Sequence, residues 1–291
     1  MEERYYQIGD ISLHAVEAGN QDGQVMLFLH GFPEFWYGWH KQLDFFAEKG
    51  FRAVAADQRG YNLSSKPENV DDYTIENLTC DIAGLIPQLT TNKVVLVGHD
   101  WGGAVAWATA MQHPALISSL VILNMPHPAV MHEHLTKDPE QMLKSSYAAF
   151  FQLPILPELL GSVIDFTILK QAMINSSKPG TFTDDMLERY EEAWKQPGAL
   201  NAMFNWYRAY KYKNFDADHE ISSPTLLIWG KQDKFLVPEM ALQSIEKCSN
   251  GKLVFQSDAT HWLHHEKAKQ VNDEILQFIL AQEPQSPLTI R

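Results

Sequence analysis

Residues 98–103 read Gly-His-Asp-Trp-Gly-Gly, which sets Asp100 between glycines two residues before it and two after it. This spacing suits a sharp strand-to-helix turn that exposes its tip side chain, because larger neighbours would clash there. Such tips usually carry serine, which attacks acyl carbons. A carboxylate is better suited to displacing a leaving group at saturated carbon, with an alkyl ester forming on the protein. The competing reading is a helix N-cap, a position that also favours aspartate.

An ester on the protein must then be cleaved by water. That requires a general base, an acid to orient it and backbone donors for the oxyanion. The run LVFQSDATHWLHHE, 253–266, places His261 just past a strand candidate, and LLIWGKQDKFLVP, 226–238, places Asp233 just past the preceding one. The order nucleophile, acid, histidine is the one in which elbow-bearing folds carry these groups. Asp258 is an alternative acid, but Asp233 follows its strand end directly. The loop in LFLHGFPEFW, 27–36, offers the N–H of Phe32, and Trp101 offers a second donor, whereas Pro33 has none; an ordinary turn is the competing reading of this loop. His264 and His265 are irregularly spaced from His261, and no cysteine or glutamate set completes a metal site, so surface histidines are expected and no metal or cofactor.

The leaving group separates the remaining chemistries. An opening epoxide leaves an alkoxide that needs a proton or a strong hydrogen bond, whereas a halide needs only weak N–H donors. Tyr147 in KSSYAAFFQLP and Tyr207 in LNAMFNWYRAY are candidate phenol donors, though spacing alone does not separate them from structural tyrosines.

These groups need a frame to hold them. Strand candidates lie at 12–19, 25–31, 51–60, 93–99, 120–126, 224–230 and 252–257, and helical spacing appears at 39–50, 74–89, 101–113 and 265–281. The alternation predicts an α/β fold with a mostly parallel sheet covered by helices on both faces. After Pro126 it breaks for about ninety residues of helical Leu, Met, Phe and Tyr spacing. The expected organisation is a core of 1–126 and 219–291 interrupted by a helical cap at 127–218, with a frayed tail at 283–291.

The 291 residues carry a formal net charge of −13 and no clustered Lys or Arg, which argues against nucleic acid or an anionic membrane as partner. The two cysteines, Cys80 and Cys248, suggest no disulfide framework and fit a reducing compartment. With no signal-peptide pattern and no membrane-length apolar run, the expectation is a soluble cytoplasmic protein.

Taken together, HGFPEFWYGW, GHDWGG, SYAAFFQ, NWYR and THW resemble the α/β-hydrolase-fold epoxide hydrolases, over nearly the whole chain. The resemblance implies a cofactor-free cytosolic enzyme that converts epoxides and water to vicinal diols. It further implies Asp100 as nucleophile, Asp233 and His261 as the water-activating pair, Tyr147 and Tyr207 as donors to the oxirane oxygen, and a cis peptide before Pro33. The chain departs from the family at Thr260, where glycine is usual before the histidine, and at Asn62, where a second glycine is usual. Asparagine tolerates positive φ, so Asn62 is a mild change, whereas Thr260 bears on the approach of the base loop. No acid follows the strand ending at Asn124, the other place relatives carry it, which favours Asp233.

Phe32, Trp36, Trp101, Met125, Phe150, Phe151 and Trp262 are expected to supply a dry lining for a small apolar or aryl epoxide, about half of them facing the cavity. The alternatives are a haloalkane dehalogenase, in which the two phenols lack a role, and a non-catalytic receptor binding a small ligand under its cap. An acid-substrate dehalogenase would want arginine where Trp101 stands.

Overall fold

The computed structural model describes residues 1–153, 157–158, 166–210 and 219–282. The expected tail at 283–291 lies outside the described residues, as do parts of the expected cap.

The described residues form eight strands, β1 (Glu2–Ile8), β2 (Ile11–Gly19), β3 (Val25–Leu29), β4 (Arg52–Ala56), β5 (Val94–His99), β6 (Ile117–Leu123), β7 (Thr225–Gly230) and β8 (Gly251–Gln256). They form one sheet in the order β1-β2-β4-β3-β5-β6-β7-β8. The β1–β2 and β2–β4 pairs are antiparallel and all later pairs are parallel. Strands β3, β4, β5 and β7 are buried at every position, which explains their unbroken apolar runs: helices cover both faces of a parallel sheet.

Seven strands follow the expected alternation, and β1 is the addition. Its residues are mostly exposed and it pairs only with β2 at the sheet edge, so EERYYQI carries no apolar face to announce it. The helix expected at 265–281 is two pieces, Leu263–Glu266 and Ala268–Gln282. The carboxylate of Glu266 reaches back to the Thr260 N–H at 2.9 Å and hydroxyl at 2.6 Å, which ties the short piece to the preceding loop. The longer piece buries Val271, Ile275, Phe278 and Ile279, the stripe expected of a covering helix.

Between β6 and β7 every described regular element is helical. Three of these helices bear on the site: α1 (Ser146–Phe151), α2 (Asp184–Trp194) and α3 (Ala199–Ala209). Arg208 of α3 donates from Nε to the Phe151 carbonyl at 3.0 Å, and Gln152 donates to the Tyr207 carbonyl at 2.7 Å, so α1 and α3 are fastened side by side.

Candidate active site

Asp100 sits between β5 and a helix starting at Trp101, with φ 49° and ψ −127°. Its side chain makes no hydrogen bond to that helix, so the N-cap reading fails. The glycines around it are steric necessities. A Cβ at Gly98 would lie 2.4 Å from the Gly102 carbonyl oxygen, and one at Gly102 would lie 2.1 Å from the Leu29 carbonyl oxygen. A positive φ on a non-glycine residue costs about 1–3 kcal/mol and tends to persist where the surroundings hold it for function. Here the carboxylate is turned to the loop after β3, where Oδ1 accepts the Phe32 N–H at 2.9 Å. The peptide before Pro33 is cis, as the resemblance implied. The Trp101 N–H occupies the first helical position and has no intrahelical acceptor.

The loops after β7 and β8 bring Asp233 and His261 to the same place. His261 Nδ1 lies 2.7 Å from Asp233 Oδ2, and its Nε2 lies 3.6 Å from Asp100 Oδ2. Asp233 is held by its neighbours: Oδ1 accepts the N–H groups of Phe235 at 2.7 Å and Leu236 at 3.1 Å, and Asn124 donates to Oδ2. Asn124 also accepts the Gly230 N–H at 2.8 Å, so the end of β6 orients the acid without supplying one. Burial alone would push the His261 imidazolium toward losing its proton, but the charges of Asp233 and Asp100 prevail and raise its pKa to about 10. Burial likewise opposes the charge on Asp100. His261, His99 and the Phe32 N–H outweigh it and hold that carboxyl below its ordinary range. These directions favour a carboxylate on Asp100, an imidazolium on His261 and a second carboxylate on Asp233.

Two cavities meet at Asp100. One, of about 290 Å³, is lined by Trp101 and Met125 among others, and a second, of about 320 Å³, by Phe32, Phe150, Phe151 and Trp262. Asp100, Tyr147, Tyr207 and Phe235 line both. The rings of Tyr147 and Tyr207 are 6.1 Å apart at 75°. Burial, followed by the Asp100 charge for Tyr147 and the Tyr147 and Asp100 charges for Tyr207, raises both phenol pKa values, so both remain proton donors at neutral pH.

Residues 24–268 match the family described as alpha/beta hydrolase fold. A Bacillus subtilis (strain 168) protein, AB hydrolase superfamily protein YfhM, is 46% identical over 95% of this chain and 97% of its own length. Human epoxide hydrolase 4 is 39% identical over 94% of this chain and 78% of that protein. The crystal structure of a Bacillus megaterium epoxide hydrolase with an inhibitor superposes with a TM-score of 0.88 at 30% identity, covering 95% of this chain and all of that one. The chain belongs to the α/β-hydrolase-fold epoxide hydrolases.

Within this epoxide hydrolase family member, several features differ from the sequence reading. Trp36 lines neither cavity. It opens a short turn whose N–H donates to Asp57 at 2.8 Å, and its ring packs on Phe35 and Tyr37. His264 and His265 are buried, contrary to the expectation of surface positions. Both donate from Nε2 to Glu34, at 3.0 and 2.7 Å, and Tyr190 donates to the same carboxylate at 2.6 Å. Burial would raise the Glu34 pKa, but its histidine neighbours hold it well below the usual range. Glu34, His99 and His264 also converge, one ligand atom of each within 4.8 Å of the others, and His264 Nε2 is bonded to Glu34. Sequence spacing carries no sign of this grouping, since Glu34 and His265 are far apart in the chain.

The departures from the family pattern are accommodated locally. Asn62 adopts φ 41° and donates to Asp57 at 2.7 Å, while Thr260 is held by Glu266 and leaves His261 within hydrogen-bond distance of Asp233. Among the described helices none is long and apolar enough to cross a membrane.

Proposed function

We propose that the protein opens epoxides with water to vicinal diols through an ester on Asp100. The observation that carries this reading is that one carboxylate and two phenols line the same junction between two largely apolar cavities. In the proposed first step, Tyr147 and Tyr207 donate to the oxirane oxygen while Asp100 Oδ2 displaces it from carbon. Oδ1, already on the Phe32 N–H, becomes the ester carbonyl oxygen. The breaking C–O bond leaves an alkoxide that takes a phenol proton.

Ester formation removes the negative charge of Asp100, one of the two that keep His261 protonated. The imidazolium proton becomes easier to lose just when a tyrosinate needs one, and its transfer restores the phenol and leaves a neutral base. His261, oriented by Asp233, then deprotonates a water that attacks the ester carbonyl. The oxyanion on Oδ1 is met by the N–H groups of Phe32 and Trp101, donors fixed before charge develops. As the tetrahedral species collapses, its new hydroxyl proton passes to the departing alkoxide, the diol leaves, and carboxylate and imidazolium are regenerated. No cofactor enters this cycle.

The lining favours small apolar or aryl epoxides, with a substituent in either cavity. A variant of the Bacillus megaterium relative was crystallised with a naphthyloxy-propanediol as its product, which supports aryl arms for this site. The core of 1–126 and 219–291 and the cap of 127–218 fit this use, the cap carrying both phenols. Turnover of styrene oxide beside butyl bromide tests the reading. Diol should form from the epoxide with little or no bromide released from the halide; the reverse would assign a haloalkane dehalogenase.

A further inference from the structure

Three consecutive residues of the loop after β3 are each tied to something different. Phe32 donates to Asp100, the Pro33 carbonyl accepts the Trp194 indole N–H at 2.6 Å, and Glu34 accepts the Tyr190 hydroxyl at 2.6 Å. Tyr190 and Trp194 are one turn apart on α2, both buried, with their rings stacked at 5.9 Å and 30°. Neither lines either cavity, so neither touches substrate. The geometry points to Trp194 and Tyr190 as positioning residues that set the Phe32 N–H donor from the helical insertion.

The loop is closed on itself by the Glu34 N–H donating to the Gly31 carbonyl at 3.0 Å, and His264 and His265 also hold the Glu34 carboxylate. Pro33, next to the donor, has no N–H, so its carbonyl is the one backbone group of that residue that can be held, and the indole holds it. An oxyanion donor works only within about 2.7–3.1 Å of the atom that becomes charged, and a misplacement of about 1 Å costs on the order of 10²-fold. The effect should fall on one step. During ester formation Oδ1 loses charge, but during ester hydrolysis it becomes the oxyanion, so a displaced donor slows hydrolysis more than formation. On this two-step scheme, slowing hydrolysis lowers kcat and KM together and leaves kcat/KM unchanged.

The assignment rests on the proposed ester chemistry. Trp194→Phe keeps a ring and removes the N–H, and Tyr190→Phe removes a single hydroxyl, so the second variant serves if the first does not fold. With styrene oxide, each folded variant should lose about tenfold in kcat, less than the roughly 10²–10³ lost when a donor is deleted outright. KM should fall by a similar factor, and alkylated enzyme should accumulate in intact-mass spectra taken at steady state. A fall in kcat/KM at constant KM, without accumulated adduct, would show a merely structural role and overturn the assignment, as would unchanged kinetics. If a His261→Gln variant forms no adduct either, the ester chemistry itself has failed, so the two failures are distinguishable.

Discussion

A His261→Gln variant given styrene oxide should gain the mass of one substrate on Asp100 and then stop. The glutamine cannot take a proton from water, so the second half of the cycle loses its base, a loss of about 10²–10⁴-fold or more in steady turnover. The first half needs no base, since Asp100 is ionised and the phenols supply the proton. Ester formation should be slower than in the parent, because the imidazolium that lies 3.6 Å from Asp100 and helps hold it ionised is gone. The adduct should nevertheless be stoichiometric and stable over hours, and peptide mapping should find it on Asp100. Steady diol production near the parent rate would remove His261 from its assigned step, and a folded, inactive enzyme with no adduct would remove the ester itself.

Replacing both Tyr147 and Tyr207 by phenylalanine should suppress diol formation by about 10³-fold or more. Each hydroxyl acts as a preorganised donor to a developing alkoxide, and deleting one such donor typically costs about 10²–10³-fold. The double variant should lose more than the product of the two single-variant losses, because in each single variant the remaining phenol can still protonate the oxygen. Folding should survive, since the rings are retained: Tyr207 packs edge-on against Trp101 at 5.2 Å and Phe32 at 5.3 Å, and Tyr147 against Phe235 at 5.7 Å. Here the loss should appear in ester formation, so no adduct accumulates, the opposite of the histidine variant. Retention of most of the rate in the double variant would leave the phenols without a role.

The sequence disclosed the elbow because close packing at Gly98 and Gly102 leaves its mark in residue type. It also disclosed Asp233 and His261, because chain order after successive strands places both at one edge of the sheet. The central strands were legible for the same kind of reason: burial on two faces writes an unbroken apolar run. Edge strand β1 had no such run. Trp36 misleads because aromatic character says nothing about direction, and its short turn points the ring at Phe35 and Tyr37. The bonds that join Glu34 to Tyr190, His264 and His265 span more than 150 residues each, and no local pattern encodes contacts of that separation. Tyr147 and Tyr207 stand between these cases, since only family likeness singled them out among ten tyrosines.

In the covalent mechanism, Asp100 lends an oxygen atom to the product. A single turnover with enzyme in excess over styrene oxide, run in water enriched in heavy oxygen, follows that atom. The predicted result is one heavy oxygen in the peptide containing Asp100 and ordinary oxygen in the new hydroxyl of the diol. Heavy oxygen in the diol with none in Asp100 would mean that water attacks the epoxide directly, and the covalent mechanism would be wrong.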